Sequence, residues 1–188
     1  MKEAQVQAEI RKMLRYRYRL WPDHVPDIAA IKVESGRPDL LIMNPFGASM
    51  YIEIKAFDLS RYKSFSLNWI NPKQREWLSA WEELRLYGSY IAIGTVNIRP
   101  RGIWIIPWAD WLGIEGMFSL YQDSIPYEVG PGFNKALQRS GLDFRVLEQY
   151  KLVLIPAKSR VAGVKWQFNK KQEELWMERI SYSVPASF

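Results

Sequence analysis

Cysteine is absent from the 188 residues, which removes both a disulfide framework and any thiolate metal site. The single histidine, His24, lies in the Pro-bounded stretch WPDHVPD. With no second histidine, neither a histidine zinc centre nor a Ser-His-Asp triad is supported. His24 therefore reads as structural or solvent-facing. No apolar run approaches the roughly 18 to 20 residues needed to span a bilayer, and the opening MKEAQVQAEIRKMLRYRYRL is charged throughout. A soluble, cytoplasmic protein is expected. No internal repeat, low-complexity tract or Gly/Ser/Pro linker divides the chain, and its length suits one well-filled core.

What the chain has in excess is positive charge and aromatic rings. The formal net charge is +6, and 14% of residues are aromatic. Such a balance suits a polyanionic partner, because cations placed near phosphates release condensed counterions. Anionic membranes would be served by the same charge, but no lipid-facing amphipathic anchor is present. Nucleic acid is the expected partner, with no membrane association.

Residues 2 to about 18 read as a helix with Val6, Ile10, Met13 and Leu14 at helical spacing. The two prolines of WPDHVPD then predict a connector. IAAIKVES, PDLLIMN and MYIEIKA read as three strands, the last two joined by NPFGAS as a hairpin. RYKSFSLNWINP is polar and aromatic, and a helix is expected from Lys73 to Tyr87, stopped by Gly88. SYIAIGTVN and RGIWIIPW add two strands. Beyond Pro107, PWADWLGI, FNKALQRSGL and KKQEELWMERI suggest helices, and KLVLIPA and VKWQF suggest strands. The expected fold is α/β, a mixed central sheet flanked by helices. Its core covers residues 1–108, and residues 109–188 form a C-terminal extension packed on it.

Three charges interrupt the second and third strands. Glu53 and Lys55 share one strand face, while Ile52 and Ile54 share the other. A hairpin centred near Gly47 sets Asn44 opposite Met50, Leu41 opposite Glu53 and Asp39 opposite Lys55, with Asp39 diagonal to Glu53 on the same face. Pro-Asp opening a strand and an exposed Glu-x-Lys ion pair would be ordinary structure. Both strands, however, carry apolar residues on both parities, as in a sheet covered on both faces. Charges there are costly unless paired or bound to metal. Two carboxylates and an ammonium suit a hard divalent cation such as Mg²⁺ and phosphodiester hydrolysis.

GRPD39 followed by YIE53IK55 resembles the PD-(D/E)xK nuclease superfamily. Two surroundings strengthen the resemblance. Glu3 in the opening helix falls where VRR-NUC domains and archaeal Holliday-junction resolvases place a further acidic residue, with Glu9 as the second choice. KSFSLNWINPKQREWLSAWEELRLYGSYIAIG is similar to the segment after the catalytic strand of RecU-type resolvases, with Gln74 matching their glutamine and Lys73 standing where histidine is common. The similarity spans roughly residues 1 to 108.

The resemblance implies a restriction-endonuclease-like fold and a Mg²⁺-dependent DNA endonuclease, with Mn²⁺ able to substitute. Asp39, Glu53 and Ile54 would bind the metal. Lys55 would be the catalytic lysine, Glu3 an accessory acid, and Gln74 a contact to the lysine, water or phosphate. Arg37, Arg61, Lys63 and Lys73 would contact the DNA backbone. A four-way junction cut by two symmetric nicks requires two sites, hence a homodimer. A VRR-NUC-like or restriction-type nuclease and a catalytically silent DNA-binding protein of the same fold are the alternatives. The tryptophans, Trp77 and Trp81 above all, are expected in packing rather than base stacking.

Overall fold

The structure is a computed structural model that describes residues 2–24, 39–43, 49–58, 64–83, 88–96, 102–119, 124–126 and 145–181. IAAIKVES and FNKALQRSGL, expected as strand and helix, lie outside the described residues, as do Arg37, Arg61 and Lys63 and all of the expected loop NPFGAS except Ser49, which opens the third strand.

Helix α1 (Lys2–Lys12) opens the fold, with Glu3 in its first turn and Arg11 and Lys12 in its last, in the sense that complements the helix dipole. The expected continuation to residue 18 is a π turn, Met13–Arg17, and not α-helix. Met13 and Leu14 are both fully buried, and the wider turn directs these consecutive side chains into the core. Arg19 then adopts a positive φ of 55°, letting the Leu20 amide donate back to the Leu14 carbonyl (3.0 Å).

A five-stranded mixed sheet follows, in the order β1-β2-β3-β5-β6: β1 (Trp21–His24), β2 (Leu40–Met43), β3 (Ser49–Asp58), β5 (Ser89–Val96) and β6 (Ile103–Pro107). The first four residues of the expected connector WPDHVPD are thus an edge strand, paired antiparallel with β2. Proline is compatible with an edge, where one side of the strand needs no ladder donor. The β2–β3 register differs from expectation by two residues. Leu41 faces Tyr51 and Ile42 faces Met50. A two-residue shift preserves face parity, so continuing the pairing sets Asp39 opposite Glu53 and keeps the charges together. Strands β3 and β5 run parallel, and β6 returns antiparallel.

Between β3 and β5 the chain forms β4 (Ser64–Ser66), a 3₁₀ turn (Leu67–Trp69) and helix α2 (Pro72–Glu83). β4 pairs with β7 (Ser124–Pro126) in a separate small sheet. Helix α2 starts one residue earlier than expected because Asn71 caps it and Pro72 suits the first helical position. Gly88 takes a φ of 79°. Helix α3 (Trp108–Ser119) is longer than the short helix suggested by PWADWLGI, and α4 (Lys170–Ser181) ends the described chain.

Each face of the sheet has its own core. One cluster joins Ile52, Ile54, Tyr90, Ala92 and Ile103 to Val6, Ile10 and Leu14 of the opening helix segment. It continues into the C-terminal part through Leu152, Ile155, Trp166, Phe168 and Trp176. The other places Phe57, Ile91, Ile93 and Ile106 against Leu78, Trp108 and Trp111. Trp104, Trp108 and Trp111 are buried. Trp81 packs edge-on against Tyr51 with ring centroids 4.4 Å apart. Among the described residues no helix is long and apolar enough to cross a membrane.

Gly94 lets α1 lie directly on β5, since a Cβ there would sit 2.4 Å from a Val6 methyl. Gly94→Ala is expected to cost about 1–3 kcal/mol through overpacking, and Val6→Ala in the same chain should recover most of it. Chemical denaturation of the two single variants and the double variant checks this.

Candidate functional site

The site exists because β2 begins at Leu40, opposite Ile52. From Glu53 onward, β3 extends past the start of β2. The Ile54 amide, facing that gap, donates instead to Asp39 Oδ2 at 2.7 Å. A carboxylate thus takes the place of a ladder carbonyl, as a buried backbone donor requires.

On the α2 face, Glu53 is 1% exposed. Its Oε1 accepts from Lys55 Nζ at 2.6 Å and from Gln74 Nε2 at 2.5 Å. Its Oε2 is buried and has no hydrogen-bond partner among the described residues. Burial pushes the Glu53 carboxyl from 4.5 to about 8, aided by the Asp39 charge and, more weakly, by Glu3, and opposed by Lys55. Glu3, although exposed on α1, is therefore close enough for its charge to act at Glu53. Glu9 is committed elsewhere, to an ion pair with Lys165 at 3.1 Å.

Gln74 is oriented by its own helix start. Its backbone amide donates to Asn71 Oδ1 (2.9 Å), and its side-chain Oε1 accepts from the Asn71 amide (3.1 Å). This is a reciprocal capping box with Asn71 at the N-cap and glutamine three residues on. The same Oε1 accepts from Lys55 Nζ at 3.3 Å. Two donors thus hold the amide oxygen in place, and the nitrogen must face Glu53. The next residue fastens the helix: Arg75 donates to both Glu115 oxygens on α3 at 2.6 Å each and to the Ile70 carbonyl at 3.1 Å.

Four of the sequence-derived candidates, Asp39, Glu53, Lys55 and Gln74, converge, and Ile54 is held among them by its amide. Glu3 contributes charge alone in this geometry. Lys73 is exposed on α2. Asn71, Arg75 and Glu115 were not anticipated, although N-P-K-Q carries a readable cap signature: Asn, then Pro, then Gln at the third helical position.

The donor set can be tested against a divalent cation. Among the described residues no group of three or more His, Cys, Asp or Glu side chains is placed to hold a metal ion. Two carboxylates are the number that Mg²⁺ uses when substrate and water complete its shell. Glu53 Oε2, without a hydrogen-bond partner among the described residues, fits that role, with the Asp39 charge acting on the same carboxyl. Ile54, whose side chain has no donor atom, could offer only its main-chain carbonyl. No family model matches the chain, and no curated protein matches it.

Two outcomes follow from the geometry. Because the folded Glu53 carboxyl is raised, the folded state holds a proton that the unfolded chain releases above about 4.5. The stabilisation from neutral Glu53 is complete below that pH and is lost as pH rises through about 8. Urea titrations in metal-free buffer should therefore show wild-type stability declining between these values, and Glu53→Gln should lack that decline. Asn71→Ala should cost about 1 kcal/mol, with Asn71→Asp restoring most of it, as read by thermal melting.

Proposed function

We propose that the chain is a metal-dependent DNA endonuclease of PD-(D/E)xK type with a restriction-endonuclease-like arrangement of its sheet, acting on branched DNA such as a four-way junction. One observation carries this reading. A fully buried carboxylate has one oxygen satisfied by Lys55 and Gln74 and the other without a hydrogen-bond partner among the described residues. A purely structural Glu53 would be expected to satisfy both oxygens.

In this reading Asp39, Glu53 and the Ile54 carbonyl hold Mg²⁺ or Mn²⁺. When bound, the cation neutralises phosphate charge and lowers the pKa of water. The remaining chemistry belongs to the chain. Lys55, held between Glu53 and the Gln74 amide oxygen, has three donors and uses the free one to orient the attacking water or to stabilise charge developing on the phosphoryl oxygens. Gln74 keeps the ammonium from collapsing wholly onto the carboxylate. Glu3 adds negative potential at the mouth of the site. Lys73, Arg37, Arg61 and Lys63 supply backbone contacts in the proposal, and a homodimer supplies the two sites that paired nicks need.

The test pairs cleavage with metal-dependent stability. Labelled four-way junction, flap, single-stranded and linear duplex DNA are incubated with Mg²⁺ and wild type, Asp39→Asn or Lys55→Ala. Asparagine retains an oxygen for the Ile54 amide, so loss of activity in that variant reflects lost charge. Paired nicking of the junction, reduced about 100-fold or more in each variant, is expected, together with a Mg²⁺-induced rise in Tm that disappears in Asp39→Asn. Absence of cleavage and of any cation effect on Tm, with branched DNA still bound, would establish a silent binder of the same fold.

A further inference from the structure

A long stretch of positive charge without acidic residues lies away from this site. Residues 149–172 contain Lys151, Lys158, Arg160, Lys165, Lys170 and Lys171 and no Asp or Glu. These six cations equal the formal net charge of the whole chain, +6. Three have carboxylate neighbours: Lys151 meets Glu148 at 3.1 Å, Lys165 meets Glu9 at 3.1 Å, and Lys170 approaches Glu174 at 4.0 Å. Lys158 and Arg160 have no ion pair among the described residues, and both are exposed.

The segment that presents them is a hairpin. Strand β8 (Val153–Leu154) pairs antiparallel with β9 (Trp166–Gln167), and the Ile155 amide donates to the Lys165 carbonyl at 2.8 Å. Its inner side is anchored. Ile155, Val164, Trp166 and Phe168 are buried in the cluster that includes Val6 and Ile10 of α1, and the Phe168 amide donates to Tyr18 Oη at 2.9 Å. Its tip is stiff. A 3₁₀ turn (Ala157–Ser159) leads through extended Arg160 into a turn closed by the Val164 amide on the Val161 carbonyl at 2.8 Å. Ala162 (φ 47°) and Gly163 (φ 73°) are both left-handed there, the pattern of a type I′ turn. An alanine held left-handed is strained. The surface it supports is apolar as well as basic, for Leu154 is 55% exposed and Val161 53%.

We propose that this hairpin is a nucleic-acid contact element, in which Lys158 and Arg160 engage the phosphate backbone and Val161 rests against the sugars or base edges between them. The proposal rests on the nucleic-acid reading above and extends it to a part of the chain that the resemblance does not cover. Two observations favour this occupant. A second copy of the chain docking here through a two-fold axis would bring two uncompensated cationic surfaces together, which opposes association. The hairpin is also tied to α1, the helix that carries Glu3: Lys165 pairs with Glu9, six residues and roughly 9 Å along the helix axis from Glu3. A ligand spanning the proposed metal site and the hairpin would be extended, and one that meets Lys158 and Arg160 would be anionic; duplex DNA is both, with one charge per roughly 1.7 Å of axis.

The experiment uses the full chain in EDTA, so that binding is read without cleavage. Fluorescence anisotropy with labelled four-way junction and duplex DNA across a KCl series compares wild type with Lys158→Ala/Arg160→Ala and with Val161→Ser. The double variant should bind about 10-fold more weakly, with a log K against log[salt] slope shallower by roughly 1.8 for two lost phosphate contacts. Val161→Ser should weaken binding with the slope unchanged. Thermal melting should place both variants at the wild-type Tm, since the replaced side chains are exposed. Wild-type affinity and slope in the double variant would overturn the proposal. So would a change of mass by light scattering, or lost binding to phosphatidylserine vesicles with DNA binding intact. Loss of slope in a protein that shows no metal-dependent cleavage would leave the hairpin assignment standing and remove the nuclease reading. Metal-dependent cleavage with an unaltered slope would do the reverse.

Discussion

Everything in the described site depends on one burial. Glu53 stands in the middle of the longest strand, in a sheet covered on both faces, and its side chain is withdrawn from water. An isolated carboxylate there is strongly disfavoured. The surrounding residues read as the answer to that cost. Lys55 comes from the same face of the same strand, Gln74 from the helix laid across it, and Asp39 from the point where the neighbouring strand starts. Attraction to Lys55 lowers the cost but does not cancel it, which is why burial still raises the carboxyl well above its usual range. The second oxygen keeps the remainder of the debt.

That local problem constrains distant parts of the fold. Gln74 can face Glu53 only if α2 begins where it does, so Asn71 matters for amide orientation as well as for helix stability. The helix is then pinned by the Arg75–Glu115 fork to α3, and α3 follows β6 directly. The outer edge of β6 would expose ladder groups, but the Ile105 amide donates to the Tyr150 carbonyl and the Leu152 amide donates to the Ile103 carbonyl. Gln172, from α4, adds bonds to the carbonyls of Ile105 and Tyr150. The C-terminal part therefore covers the β6 edge of the sheet, where ladder groups would otherwise be open to association, and fills one of its cores.

The legible parts of this protein were those with strong local period or local chemistry. Apolar strands such as YIEIKA and SYIAIG, and the helix after NP, declare themselves by parity, composition and cap. The grouping of Asp39 with Glu53 was also legible, because parity survives a register error of two residues. The register itself was not, since it depends on the turn between the strands and on where β2 begins. WPDH was misread because proline argues against strand only when the strand is central, and centrality is a property of the assembled sheet. The π turn was invisible for a related reason: Met13 and Leu14 fit an α-helical stripe equally well until the core decides which must point inward. The Arg75–Glu115 pair, 40 positions apart, left no local signal at all.

Aromatic content shows how composition misleads when read without location. Nine tryptophans in a basic chain invite a stacking surface. Yet Trp104, Trp108, Trp111, Trp166 and Trp176 are each 5% exposed or less, and Trp176 packs on Tyr90 and Phe168 with centroids within 4.8 Å. The large rings build a rigid base, and the small aliphatic residues Val161 and Leu154 remain outside on the cationic hairpin. An aromatic foundation supports this short turn from beneath, and the turn presents Lys158 and Arg160, both exposed and without an ion pair among the described residues.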